Sequence, residues 1–398
     1  MKNTLAINGG KPVRDSYLPY GKQFIDAEDI QTVINVLKSD FITTGPTIEQ
    51  FEKQVADYVD AKYAVAFSSG TAALHGACFA AGISTNDEVI TTPITFVASA
   101  NCVLYQNGKP VFADIDPETY NICPKSIREK VTNKTKAIIP VHFTGQPAKL
   151  DEVLKIAQEY NLIVIEDAAH ALGSKYKNKK IGSIGDMTMF SFHPVKHITT
   201  GEGGIITTDN EEYYQKLLQF RTHGITRNLE NLIDNHGPWY YEMQFLGYNY
   251  RMTDIQAALG ISQMRKLDSF ICKRKKYVKI YNEKLKELPQ IILPKQLNDV
   301  CSSWHLYVIR LNSTLLKVDR KGFFQALQKE NIGVNVHYVP VYMQPFYRQL
   351  GYMPGICPNA EKIYKDIITL PLYPGMTEKD IQDVISALKK VISYYSKS

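Results

Sequence analysis

Lys196 is the residue in this sequence best placed for covalent chemistry. It sits in Phe190-Ser-Phe-His-Pro-Val-Lys196-His-Ile-Thr-Thr-Gly-Glu-Gly-Gly204, between the apolar runs Met187 to Phe192 and Ile205 to Thr208. Phe190, Phe192, Pro194 and Val195 surround it in sequence. Removing an ammonium from water lowers its pKa, and a lysine so lowered is a nucleophilic amine able to form a Schiff base. The alternative is a lysine that snorkels out of a strand end. A second chemical group is Asp167, which ends the apolar run Asn161 to Glu166, about thirty residues earlier. A third is Ser68-Ser-Gly-Thr71, between an apolar run and an alanine-rich one. A strand, a hydroxyl-rich turn and a helix start make an anion site from backbone N–H groups, although many α/β proteins carry such turns with nothing bound.

The elements that must position these groups alternate. Strands are expected at Tyr63 to Phe67, Glu88 to Thr92, Pro110 to Asp114, Thr135 to Val141, Asn161 to Glu166, Met187 to Phe192 and Ile205 to Thr208. Helices are expected at Ala27 to Leu37 with Asp26 as N-cap, through Tyr58 with Thr47 as cap, and at Ala72 to Ala81, Val97 to Gln106, Leu150 to Tyr160 and Glu211 to Arg221. Alternation with short connections means a largely parallel α/β sheet, with ligands at the C-terminal strand ends. The turn after Phe67, Phe96, His142 and Asp167 all lie at such ends and can converge. Asp114 and Asp116 read as strand-end caps rather than metal ligands. Residues 1–25 read as irregular, and the stretch up to Leu246 as a mobile loop. Helices follow at Asp254 to Leu267 and Ile271 to Leu288. The remainder reads as strand (His305 to Leu311), helix (Asp319 to Glu330), strand (Gly333 to Val341), strand (Ile367 to Leu372) and helix (Thr377 to Tyr394). The chain divides as a large α/β domain over 1–270 and a linker helix with a small α+β domain over 271–398.

Composition limits the function classes. A chain of 398 residues with 44% hydrophobic and 22% charged residues is an ordinary globular protein long enough for two domains. The net charge is +6, and the one basic run, Lys273-Arg-Lys-Lys276, reads as the solvated face of a helix rather than a nucleic-acid site. The six cysteines show no pairing framework and read as reduced thiols of a cytoplasmic protein. No membrane-length apolar run occurs.

A loop lysine and a strand-end aspartate suit pyridoxal 5'-phosphate (PLP): the cofactor needs an amine, a carboxylate for its ring nitrogen, a phosphate cradle and an aromatic face. The chain resembles the DegT/DnrJ/StrS nucleotide-sugar aminotransferases in Ser68-Ser-Gly-Thr71, Pro93-Ile-Thr-Phe96-Val-Ala-Ser99, Glu166-Asp-Ala-Ala-His170-Ala-Leu-Gly-Ser174, Ser191-Phe-His-Pro-Val-Lys196 with Thr200-Gly-Glu-Gly-Gly204, and Gly247-Tyr-Asn-Tyr-Arg-Met252. The resemblance implies fold type I, aspartate aminotransferase-like, with a largely parallel seven-stranded sheet domain and a smaller α+β C-terminal domain. It implies that Lys196 bonds the cofactor and moves protons, that Asp167 pairs with the ring nitrogen, and that Ser69, Gly70, Thr71 and Ser191 hold the phosphate. Phe96 would cover a ring face and His170, where many relatives have Gln, would sit near the ring. Asn249 would reach the phosphate of the neighbouring subunit of a homodimer with shared sites. Lys196 itself sets the chain apart from a dehydratase branch that has histidine there.

Within the family the likeness is to UDP-sugar C4 aminotransferases of pseudaminic acid biosynthesis, in Ser39-Asp-Phe-Ile-Thr43, His170 to Tyr176, Phe192 to Thr200 and Val336-His-Tyr338. It implies transfer from L-glutamate to C4 of a UDP-4-keto-6-deoxy-N-acetylhexosamine. Expected sugar contacts are Tyr20, Phe41, Thr43, His193, Arg251, His337 and Tyr338, with His193, His197 and Arg251 as donors to the diphosphate.

Overall fold

A computed structural model describes residues 4–397; the first three residues of the expected irregular N-terminal stretch lie outside the described residues. The chain opens with α1 (Ala27–Leu37) and α2 (Pro46–Val59). It then alternates β1 (Tyr63–Phe67), α3 (Gly70–Ala80), β2 (Glu88–Thr91), α4 (Ala98–Tyr105), β3 (Lys109–Phe112), α5 (Pro124–Lys130), β4 (Thr135–Ile139), α6 (Leu150–Tyr160) and β5 (Ile163–Asp167). Two more strands, β6 (Met187–Ser191) and β7 (Gly204–Thr208), complete a seven-stranded sheet of order β1-β7-β6-β5-β4-β2-β3. β7 runs antiparallel to β1 and β6, and the other pairs are parallel. Helices cover both faces of such a sheet, so its central strands are near-continuous apolar runs. α3 packs tightly because its residues are small: a Cβ on Gly76 would come within 2.9 Å of the Phe67 ring.

Local chemistry sets the helix starts. Asp26 caps α1 in a capping box with Asp29. Thr47 was expected to cap α2, but Pro46 takes the first helical position and the carboxylate of Asp254 accepts from Gly45 N and Thr47 N. α5 has no apolar period to announce it; its signals are Pro124 at the first turn and Arg128 and Lys130 in the last. Asp114 accepts from Asn359 N and Ala360 N at the start of a later helix, the capping role expected of it.

After the sheet come α7 (Glu211–Phe220), a stretch closed by a two-residue pair, Ile225–Thr226 with Glu242–Met243, α8 (Asp254–Met264) and α9 (Leu267–Leu285). A second, antiparallel sheet joins β8 (Ile291–Ile292), β9 (Tyr307–Leu311) and β10 (Ile367–Leu370), with α10 (Arg320–Lys329), α11 (Pro345–Gln349), α12 (Pro358–Tyr364) and α13 (Glu378–Tyr395) around it. Its core unites Tyr281, Tyr307, Phe323, Leu370 and Leu388 with Leu5 and Leu18 from the N-terminal stretch.

Two expectations fail here. No strand forms over 333–341; a single bridge, Asn335 to Thr369, falls in it, and another, Leu18 to Ile332, lies just before it. Asn335 accepts the Val336 N–H with its side chain, Pro340 has no N–H, and Val341 N donates to Pro93 O instead of a strand. The basic run at 273–276 is not wholly solvated either. Its three lysines are exposed, but Arg274 shares the inward stripe of α9 with Ile271 and Val278 and is 1% exposed.

Candidate active site

β5 and β6 pair in parallel, so the C-terminal end of one delivers Asp167 beside the loop that leaves the other with Lys196. Asp167 is buried. Its Oδ2 accepts from Ser99 Oγ at 2.5 Å and its Oδ1 from Ala169 N at 3.1 Å. Burial pushes the carboxyl up, while Ser99, Ala169 N–H and Lys196 pull it back. Lys196 is half-buried. Burial lowers its amine to about 8, with Asp167 opposing the fall. A snorkelling lysine keeps its head in water and its ordinary value, and an amine lowered by burial argues against that alternative.

The neighbours that sequence suggested are not the ones it has. Phe190 and Phe192 lie in the core with Phe51 and Ile205. The Lys196 charge acts instead on His170, His197, His305 and His337, each held below its ordinary value chiefly by burial. His170 Nε2 meets the Tyr338 hydroxyl at 3.2 Å, and its Nδ1 is buried without a partner. His337 Nδ1 meets Thr369 Oγ1 at 2.8 Å, and its ring lies 5.3 Å from that of Tyr20. Tyr20, His170, His337 and Tyr338 therefore form one wall. His305 belongs behind it, its ring 4.5 Å from that of His170. Sequence reading missed His305, because a histidine opening a strand carries no chemical signal of its own.

Two other histidines are placed differently from expectation. His197 is buried with Nε2 3.2 Å from Ser303 O, and burial and Arg274 keep it neutral, so it is no cation for a diphosphate. His142 accepts from Ala148 N through Nδ1, which leaves Nε2–H to donate to Glu166 at 2.7 Å. Glu166 also takes the Gly185 N–H and the Thr188 hydroxyl, so this pair serves the interior and not the strand-end pocket.

At the start of α3, Ser69 Oγ accepts from Ala72 N at 3.1 Å. A Cβ on Gly70 would come 3.2 Å from Ser191 Cβ, and one on Gly204 would come 2.6 Å from Gly70 Cα. Gly70 and Gly204 thus meet with bare backbone, with the Ser191 side chain against Gly70 and half-buried Thr71 beside them. Phe96, just before α4, presents a ring 59% exposed. Ser68 N donates to Tyr250 O at 2.7 Å, which runs residues 249–251 past this turn. Asn249 and His193 are exposed there, and Arg251 is half-buried. Phe41 and Thr43 are also exposed, and a bridge from Thr43 to Thr253 ties their loop to the start of α8. These five do not join the wall within one chain.

PLP fits this set: an amine that loses its proton near neutrality, a buried carboxylate, a helix start lined by bare backbone, an exposed aromatic ring and an unpartnered imidazole nitrogen. In protein freed of cofactor, labelling of Lys196 by an amine-directed reagent is expected to rise through a midpoint near pH 8, because only the neutral amine reacts. The Asp167 charge holds that value up, so Asp167→Asn is expected to move the midpoint lower. A midpoint at the ordinary 10.5 would remove burial as the cause.

Comparison with known proteins agrees with this chemistry. Residues 23–389 match the DegT/DnrJ/EryC1/StrS aminotransferase family. An uncharacterized protein of Methanocaldococcus jannaschii is 49% identical over 382 residues, 96% of this chain and 99% of that protein. The spore coat polysaccharide biosynthesis protein SpsC of Bacillus subtilis is 43% identical over 381 residues, 95% of this chain and 98% of that protein. The structure of Helicobacter pylori PseC, an aminotransferase involved in pseudaminic acid biosynthesis, superposes with a TM-score of 0.89 at 31% identity, covering 95% of this chain and all of that one. With this span of agreement, the chain belongs to the DegT/DnrJ/EryC1/StrS family and is a PLP-dependent sugar aminotransferase.

Proposed function

We propose that the enzyme moves an amino group from L-glutamate to C4 of a UDP-4-keto-6-deoxy-N-acetylhexosamine. The observation that carries the chemistry is the Lys196 amine, lowered to about 8 and facing Asp167. The choice of sugar is supported by the likeness to PseC along nearly the whole chain and by the residues His170 to Tyr176 and Val336 to Tyr338. When bound, the cofactor supplies an electron sink for the carbon that loses its proton. The residues that would hold it are Asp167 at the ring nitrogen, Ser69, Gly70, Thr71 and Ser191 at the phosphate, and Phe96 and His170 at the ring.

Lys196 Nζ takes the proton from the reacting carbon of glutamate and returns it at the far side of the exchange. An amine near 8 is part neutral and part charged at neutral pH, so it serves both as base and as acid. The neutral imidazoles around it do not compete for that proton, since burial holds them below their ordinary value. Tyr20, His337 and Tyr338 line the sugar side; Phe41 and Thr43 lie apart from that wall within one chain and reach it only across the homodimer. His193 and Arg251 meet the diphosphate, for which a planar guanidinium suits two oxygens at once. The working unit is a cytoplasmic homodimer in which Asn249 completes the partner's phosphate site.

One observation favours a second reading, another keto sugar nucleotide: SpsC is the more similar at 43%, against 31% for PseC. Products made with glutamate from UDP-linked 4-keto and dTDP-linked 3-keto sugars decide between them. Preference for the 3-keto sugar sinks the first reading and leaves the aminotransferase standing. The shared site has its own test. Inactive Lys196→Ala and Asn249→Ala proteins, allowed to exchange subunits, are expected to regain partial activity, since each mixed dimer keeps one intact site. No recovery, with exchange confirmed, rejects it.

A further inference from the structure

Helix α9 buries an arginine and gives it no anion. Arg274 is 1% exposed, burial alone lowers it to about 9, and it forms no ion pair among the described residues. Its Nη1 donates to the carbonyls of Leu372 at 2.8 Å, His305 at 3.0 Å and Trp304 at 3.3 Å, and its Nε is buried without a partner. A buried cation without a counter-ion is costly, and an apolar side chain of similar volume is often no worse in such a place. What an apolar side chain cannot do is bind three carbonyls from two distant stretches of chain.

Those stretches lie behind the two ends of the pocket wall. Leu372 N donates to Tyr20 O at 3.1 Å, and the Tyr20 ring lies 5.3 Å from His337. The His305 ring lies 4.5 Å from that of His170, whose Nε2 meets the Tyr338 hydroxyl. We infer that Arg274 is a positioning residue for amino transfer to the sugar: by tying the main chain at Trp304 and His305 to that at Leu372, it sets where His170 and Tyr20 stand on either side of the adjacent His337–Tyr338 pair. The inference rests on the reading that this wall meets the sugar. A misplacement of about 1 Å by a change remote from the chemistry can cost roughly a hundredfold, so the clamp has leverage although it touches no substrate.

Arg274→Met fills the space but offers no donors, whereas Arg274→Lys keeps an ammonium with three N–H groups for three carbonyls. With whichever keto sugar nucleotide the wild type uses, Arg274→Met is expected to raise the sugar KM roughly ten- to a hundredfold. The half-reaction with glutamate is expected to change less, and Arg274→Lys to recover most of the loss. His305→Phe leaves the carbonyl that the clamp binds, keeps an aromatic ring and alters the ring contacts with His170 and His197; it too is expected to raise the sugar KM. A fall in thermal midpoint with kinetic constants unchanged in Arg274→Met, or a normal sugar KM in folded His305→Phe, overturns the inference. The second result decides even if Arg274→Met does not fold. Failure of the substrate reading shows separately, as a wild-type enzyme that does not use the UDP-linked 4-keto sugar.

Discussion

Lys196→Ala is expected to fold, to lose the visible absorbance of covalently held cofactor and to lose turnover by about ten-thousandfold or more. The size follows from two jobs on one atom. Among the described residues Nζ is the amine brought to the ends of β5 and β6 beside Asp167, and it is proposed both to bond the cofactor and to move the proton. No neighbour can replace it as base in place, because burial holds the surrounding imidazoles below their ordinary value and makes them weaker bases. Stability is expected to rise slightly in cofactor-free protein. The Lys196 amine sits below its ordinary 10.5, so the folded state binds its proton less tightly than the unfolded state does. That penalty is full below about pH 8 and fades as pH rises toward 10.5. Removing the side chain removes the penalty at neutral pH. Thermal melts of cofactor-free wild type and variant at pH 7 and pH 10 measure this; near-normal turnover in the variant would end the assignment of Lys196.

Asp167→Ala is expected to cost roughly a hundred- to a thousandfold in kcat with the fold kept. Its carboxylate is a fixed negative charge in a place without water, where it favours a proton on the ring nitrogen it is proposed to meet. The fold should survive because Ser99 Oγ still bonds Thr95 Oγ at 2.7 Å once the carboxylate is gone. Wild-type kcat in the alanine variant, with PLP bound, would show that Asp167 only packs.

The sheet was readable because its signal is local. Ile163-Val-Ile165 and Met187 to Ser191 are apolar over a strand's length, and Asp26 announces α1 through its own side chain. The expected strand over 333–341 failed because its residues satisfy their backbone groups one at a time, through Asn335 and Pro93, which hydropathy does not record. In the site, Lys196 and Asp167 stood out by residue type at a strand end. His305 and Arg274 did not, because each acts by lying behind another group, and that placement depends on contacts across some 30 to 130 residues of chain. His197 misled for the opposite reason: it lies beside Lys196 in sequence, yet its ring turns inward to Ser303.

Residues 4–20 hang from the end of the chain. Ala6 N and Val13 N donate to Glu330, Arg14 pairs with Asp380 and Asp383, and Leu18 bridges to Ile332. Domains generally fold from the N-terminus as the ribosome releases them, but this strap has nothing to hold until residues some three hundred positions later have emerged. Tyr20, carried by the strap, reaches the pocket wall only then. A nascent chain can close its large sheet and assemble Lys196 and Asp167 while the proposed sugar side is still open, so the order of synthesis builds the proposed reacting end of the pocket before the end proposed to select what reacts.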